Sequence, residues 1–285
     1  MRAIILGAGG QLGRALAAVL PDARALTRAD LDLAEPDGPV DWAAYDTILN
    51  AAAYTKVDAA ESPEGRRAAW AANATGPAAL ARIAATHDLR LVHVSTEYVF
   101  DGAHDGPVPE TAPPAPLSAY GASKAAGDAA VAVHRRTWIV RPTWVVGDGP
   151  NFARTMAELA RRSVSPTVVA DQVGRPTLAT DLAAGIVSLL DAEPGTYHLT
   201  NSGDPVSWAD VARFVFTAAG RDPADIADTT TAAYFADKPH AARRPLNSVL
   251  DLRKAAAAGV TLPDWRESLG RYLSEKPGNV EGPGP

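Results

Sequence analysis

The sequence predicts an α/β fold, a doubly wound parallel sheet, followed by a smaller mixed region toward the C-terminus. Three observations predict it. Short apolar runs alternate with helical patterns over the first half, a glycine-rich turn joins the first run to the first helix, and the alternation loosens after Gly147. Ala3-Ile4-Ile5-Leu6 is a continuous apolar run, as expected for a strand covered on both faces. Leu12, Ala15, Leu16, Val19 and Leu20 recur at helical spacing and make one apolar face. Thr47-Ile48-Leu49-Asn50 reads as a strand running into the small residues Ala51-Ala52-Ala53. Residues 78–85 read as a helix, Leu91-Val92-His93-Val94-Ser95 as a strand, 125–133 as a helix, and Trp138-Ile139-Val140 as a further strand. Repeated βα units place ligands outside the carboxyl ends of the strands. The boundaries that follow are 1–146, joined by roughly 170–202, for the sheet, and 147–169 with 203–275 for the second region. The glycine- and proline-rich 276–285 reads as a disordered tail.

Composition narrows the function. The 285 residues carry 33 acidic and 27 basic side chains, a net charge of −6, and no cysteine. That length buries a sizeable core, and the absence of cysteine removes disulfides, thiolate metal sites and cysteine nucleophiles. A mildly acidic chain lacks the concentrated basic footprint of a nucleic-acid binder. No charge-free apolar stretch approaches the ~18 residues of a membrane span, and Met1-Arg2 precedes only four apolar residues, too few for a secretion signal. A cytoplasmic protein with neither nucleic-acid nor membrane partners is expected. The six histidines show no metal-ligand spacing, so no metal is expected, and His93 reads as a core residue. Trp208 and Trp265 read as core, and Arg66-Arg67, Arg135-Arg136 and Arg161-Arg162 as solvated faces.

Two motifs carry chemistry. Gly7-x-x-Gly10-x-x-Gly13 lies between the first strand and the first helix. There glycines let the backbone turn sharply and approach a pyrophosphate, whose charge rests on the helix N-terminus. This is the dinucleotide fingerprint of a Rossmann sheet. Tyr120 and Lys124 stand four apart where a proline-rich stretch gives way to a helical pattern, so they share a helix face. An ammonium beside the phenol is expected to lower its pKa, and the lysine can hold a ribose hydroxyl. Ser95-Thr96 ends the preceding strand, where a hydroxyl meets a reacting carbonyl oxygen. Thr96, Tyr120 and Lys124 together read as a ketone-reduction site. Thr27-Arg28 falls where the second strand should end, near an adenine ribose. Arg28 there is suited to a 2′-phosphate, so NADPH is the expected cofactor, with NADH still used; nearby Asp30 would instead favour the free 2′-hydroxyl.

The chain resembles the extended short-chain dehydrogenase/reductases, and within them the dTDP-4-dehydrorhamnose reductase family. The shared phrases include Gly7-Ala8-Gly9-Gly10-Gln11-Leu12-Gly13, Asn50-Ala51-Ala52-Ala53-Tyr54-Thr55 with Val57-Asp58-Ala59-Ala60-Glu61, and Ser95-Thr96-Glu97-Tyr98-Val99-Phe100-Asp101-Gly102. Further phrases are Tyr120-Gly121-Ala122-Ser123-Lys124, Arg141-Pro142-Thr143-Trp144, Asn151-Phe152-Ala153, and Arg243-Arg244-Pro245. The resemblance implies that Gly10, Gln11 and Leu12 form the pyrophosphate turn, that Asp32 and Leu33 border the adenine, and that Ala53, Tyr54 and Thr55 line the cofactor. It implies Thr96 and Glu97 against the sugar, Tyr120 as proton donor with Lys124 its partner, and Trp144 against the hexose. Asn151, Arg243 and Arg244 are assigned to the nucleotide sugar, the arginines to its diphosphate. The implied reaction is NADPH-dependent reduction at C4 of a dTDP-4-keto-6-deoxyhexose, dTDP-4-dehydrorhamnose first. A reductase of another dTDP-4-keto sugar and a non-catalytic NADP-binding subunit stay open as alternatives.

Two positions depart from the family. Glu97 stands where the family usually has aspartate. Ala15 stands where some members carry a glutamate that helps hold Mg²⁺ between subunits, so a monomer or a metal-independent homodimer is expected.

Overall fold

The computed structural model of the chain describes residues 1–36 and 40–275. The expected disordered tail, 276–285, lies outside the described residues. Five parallel strands, β1 (Ala3–Leu6), β2 (Arg24–Leu26), β3 (Thr47–Asn50), β4 (Arg90–Val94) and β5 (Thr137–Arg141), form a sheet that β10 (Gly195–His198) completes. The order is β2-β1-β3-β4-β5-β10, with Ile4 beside Ile48, Ile48 beside Leu91 and Val92 beside Trp138. The direction of winding reverses between β1 and β3, which opens a crevice at their carboxyl ends.

The strands are buried on both faces because helices cover both, and alternate residues divide between two cores. Ala3, Ile5, Leu49, Val92, Trp138 and Val140 pack against α1 (Gln11–Val19) and α6 (Ala179–Leu189). Ile4, Leu6, Ile48, Leu91 and Ile139 pack against α3 (Gly76–Thr86) and the end of α4 (Ala119–Val131). Between β3 and α3 the chain forms α2 (Pro63–Trp70), continued by a π-helical turn over Ala71–Thr75.

Beyond β5 the chain pairs short strands. β6 (Val145–Val146) joins β9 (Thr177–Leu178), β7 (Thr167–Val169) joins β13 (Ala227–Thr229), β8 (Val173–Gly174) joins β12 (Val206–Ser207), and β11 (Asn201–Ser202) joins β14 (Leu262–Asp264). A third core gathers α5 (Phe152–Arg161), α7 (Trp208–Ala218) and the Trp265 end of the last helix. Trp265 is fully buried there, as expected. No helix among the described residues is long and apolar enough to cross a membrane.

Candidate active site

The glycine turn is built by close approach. Gly7 has φ +83°, and a Cβ on it would lie 2.6 Å from the backbone of Ala52 at the end of β3. A Cβ on Gly13 would lie 2.0 Å from the Gly7 carbonyl oxygen, so Gly13 lets α1 rest on the turn. Gly13 therefore stands behind the crevice wall, not on it, and its part in binding is to seat the helix. Gly7, Gly10, Gln11 and Leu12 line a cavity of about 890 Å³ in that crevice. The N-cap of α1 is Gly10, which has no side chain to offer the first helical amides. Gln11 Oε1 is buried without a hydrogen-bond partner. An uncapped helix start facing a crevice fits a pyrophosphate.

Arg28, Asp32, Leu33, Ala53, Tyr54 and Thr55 line the same cavity. Arg28 is largely exposed and sits 3.5 Å from Asp32, leaving its guanidinium at the rim. Asp30, the competing residue, is absorbed locally: its carboxylate accepts from the Thr27 amide at 2.8 Å and the Thr27 hydroxyl at 2.7 Å. Buried Asn73 fixes Tyr54, accepting from its amide at 2.8 Å and donating to its carbonyl at 3.0 Å.

Farther along, the cavity meets Thr96 and Glu97 after β4, and Tyr120 and Lys124 on α4. Ser118 caps α4 and Glu61 accepts from the Ala119 amide at 2.8 Å, which anchors the turn that presents Tyr120. The Thr96 hydroxyl donates to Glu97 Oε2 at 2.7 Å. Burial pushes the Glu97 carboxyl up to about 7. The Tyr120 phenol behaves opposite to expectation. Burial first, and then the Glu97 charge, raise its pKa well above the ordinary value, with Thr96 opposing. Lys124 does not offset this shift, and its own burial pushes its ammonium down to about 8. Its Nζ donates to the Val94 carbonyl at 2.7 Å and lies 3.4 Å from His93 Nε2. His93 is fully buried, as expected, held on its other nitrogen by Asn50 at 3.1 Å and facing the buried Asp128–Arg141 pair. Sequence reasoning missed this pair, which lies one turn beyond Lys124 and on the next strand.

The far end of the cavity is aromatic. Trp144 lines it with a left-handed backbone, φ +43°, and stacks on Trp208 with ring centroids 3.9 Å apart and planes 20° off parallel. Trp208, expected in the core, is half-buried and lines the cavity beside Trp144. The helical pattern of α7 correctly shows its apolar stripe, but Trp208 is the first residue of that helix and projects from its end. Besides Gly13, three sequence-assigned residues stand outside the cavity lining. Asn151 caps α5: its Oδ1 accepts from the Arg154 amide at 3.0 Å, and its Nδ2 donates to Gly147 O, Gly149 O and the Tyr272 hydroxyl. These local bonds engage both ends of its amide. Arg244 makes two 2.9 Å contacts with Asp58 and stacks over Phe235, reaching the site only through Tyr98. Arg243 is exposed, away from the cavity wall.

The sequence model of the RmlD substrate binding domain family matches residues 1–277. The chain is 40% identical over 280 residues to dTDP-4-dehydrorhamnose reductase of Mycolicibacterium smegmatis, covering 94% of this chain and 84% of that protein. It is 40% identical over 233 residues to dTDP-4-keto-6-deoxy-D-glucose reductase of Streptomyces niveus, covering 78% and 80%. The crystal structure of dTDP-4-dehydrorhamnose reductase from Bacillus anthracis in complex with NADP matches with a TM-score of 0.86 at 34% identity, covering 96% of this chain and 99% of that one.

Proposed function

The chain belongs to the RmlD substrate binding domain family, and from that premise we propose that it uses NADPH to reduce the C4 keto group of dTDP-4-dehydrorhamnose, giving dTDP-rhamnose. It is an NAD(P)H-dependent oxidoreductase of the dTDP-4-dehydrorhamnose reductase type. One observation carries the reading: a single cavity runs from the glycine turn, past Thr96, Glu97, Tyr120 and Lys124, to Trp144. In this reading 1–146 and roughly 170–202 hold the cofactor, and 147–169 with 203–275 hold the nucleotide sugar.

Gly7, Gly10, Gln11 and Leu12 would hold the pyrophosphate, Arg28 the 2′-phosphate, and Ala53, Tyr54 and Thr55 the adjoining wall. When bound, the reduced nicotinamide supplies the hydride. Tyr120 supplies the proton. Its raised pKa keeps the phenol protonated throughout the working range, so it enters as an acid and donates to the C4 oxygen. The resulting phenolate is a buried anion, and Lys124, held by Val94 and close to His93, supplies the compensating charge. Ionised Glu97 opposes that phenolate, so proton transfer is favoured where Glu97 is neutral, below about 7. The Thr96 hydroxyl, given to Glu97 in the free enzyme, can turn to the substrate oxygen. Assembly in this reading needs no bridging cation, since Ala15 offers no oxygen ligand.

Glu97 favours a second reading, reduction of another dTDP-4-keto sugar, because its extra methylene changes the reach of the acid beside the sugar. A panel of dTDP-4-keto-6-deoxyhexoses, assayed with NADPH and NADH and scored for product configuration, separates the two. Absence of turnover on every member of the panel would overturn both and leave the non-catalytic alternative.

A further inference from the structure

Trp144 cannot hold its position alone. Its φ of +43° is a conformation that a bulky residue adopts only when its surroundings impose it. Two elements do so. The backbone of Gly174, in β8, comes so close that a Cβ there would lie 3.0 Å from Cε2 and Cζ2 of the Trp144 ring. Trp208 stacks over one indole face, with ring centroids 3.9 Å apart. Both restraints come from one small sheet: Val206 of β12 pairs with Gly174 of β8, and Ser207 leads directly into Trp208. Trp208 is itself fixed. Ser207 and Asp210 form a reciprocal cap at the start of α7, and the Phe152 ring meets Trp208 edge-on at 4.6 Å.

We propose that Trp208 is a positioning residue that stacks on Trp144 and so presents one free indole face of Trp144 to the sugar ring, the two rings acting as a single recognition wall. This rests on the function proposed above and assigns the wall a ligand class: a 6-deoxyhexose, whose C–H edges and methyl group suit an aromatic face better than a hydroxylated carbon would. Because α5 contributes Phe152 and α7 contributes Trp208, the second region shapes the sugar site through Trp144, a residue on the sheet side of the cavity.

The test uses the intact protein and the variants Trp208→Leu, Trp208→Phe and Trp144→Phe. Far-ultraviolet circular dichroism of the wild type, in the region of the strong indole transition, should show the exciton couplet of a stacked indole pair, lost in each variant. Trp208→Leu should raise KM for the keto sugar roughly three- to ten-fold, with kcat within two-fold and NADPH affinity unchanged. Trp208→Phe, which keeps an aromatic face, should restore most of the KM. The proposal fails if the wild type shows no couplet, if Trp208→Leu leaves KM unchanged, or if kcat and KM fall together with a loss of folded protein that Trp208→Phe shares. If the wild type turns over none of the dTDP-4-keto sugars, the functional reading fails, while the couplet still reports on the stacked wall.

Discussion

Replacing Glu97 with glutamine should stabilise the protein, and do so more as the pH rises. The carboxyl is 4% exposed, and burial moves it from its ordinary 4.5 to about 7. The native state therefore holds this proton more tightly than the unfolded chain does. Stability is highest below the unfolded value of 4.5, falls as the pH climbs through 7, and levels off above it. At about 1.36 kcal/mol per pH unit, the ionised native state carries a penalty of about 3 kcal/mol. Glutamine has the same shape, stays neutral, and can still accept from the Thr96 hydroxyl through its amide oxygen. Urea unfolding of Glu97→Gln and wild type at pH 5, 6.5 and 8 should show the variant's advantage growing by roughly 2 to 3 kcal/mol from the lowest to the highest. A stability difference that stays constant with pH would refute the reasoning, because it would mean that Glu97 titrates alike in both states. The same variant should raise KM for the keto sugar, since an amide grips a sugar hydroxyl less well than a carboxylate, with NADPH affinity unchanged and no charge left to oppose the Tyr120 phenolate.

Tyr120→Phe removes only the proton donor. Turnover should fall on the order of 10²-fold or more while NADPH binding by fluorescence titration is retained, and parental turnover would refute the assignment. Arg28→Ala should lower the ratio of kcat/KM for NADPH over NADH, since the exposed guanidinium beside Asp32 is the charge available to a 2′-phosphate; an unchanged ratio would exclude it. Gly13→Ala puts a methyl 2.0 Å from the Gly7 carbonyl oxygen, which only backbone movement can relieve. Its urea midpoint should drop by the equivalent of about 3 kcal/mol or more, with NADPH binding weakened; a wild-type midpoint would refute the packing role.

How much of this was legible in the sequence depends on how local the cause is. The first strand, the turn and α1 could be read because burial on both faces, glycine and 3.6-residue spacing leave marks within twenty residues of one another. Tyr120 and Lys124 could be paired for the same reason. The direction of the Tyr120 shift could not, because it comes from burial under Tyr98 and from Glu97, residues contributed by the end of another strand. Asn151 shows the converse limit. An asparagine before a helix is a cap as readily as a ligand, and its bonds to Gly147 and Tyr272 come from residues the local sequence does not show. Trp208 belongs to an apolar stripe by periodicity, yet what covers its ring is set by a strand pair and by Phe152.

The place of β10 has consequences during synthesis. The outer edge of β5 pairs with β10, Ile139 beside Thr196, and the α1 side of the sheet is covered by α6. Both covering elements follow the first part of the second region in the chain. While residues 1–146 have emerged and 179–198 have not, the nascent chain displays an open parallel edge and an apolar face covered by α1 but not by α6, the surfaces on which chains aggregate. A fragment ending at 146 should therefore be insoluble even though it contains the whole glycine turn and every residue of the Thr96, Tyr120 and Lys124 set. Shuffling of sugar-binding segments between relatives faces the same constraint: exchanges that leave 170–202 with its own sheet keep the edge sealed, and a simple cut after β5 does not.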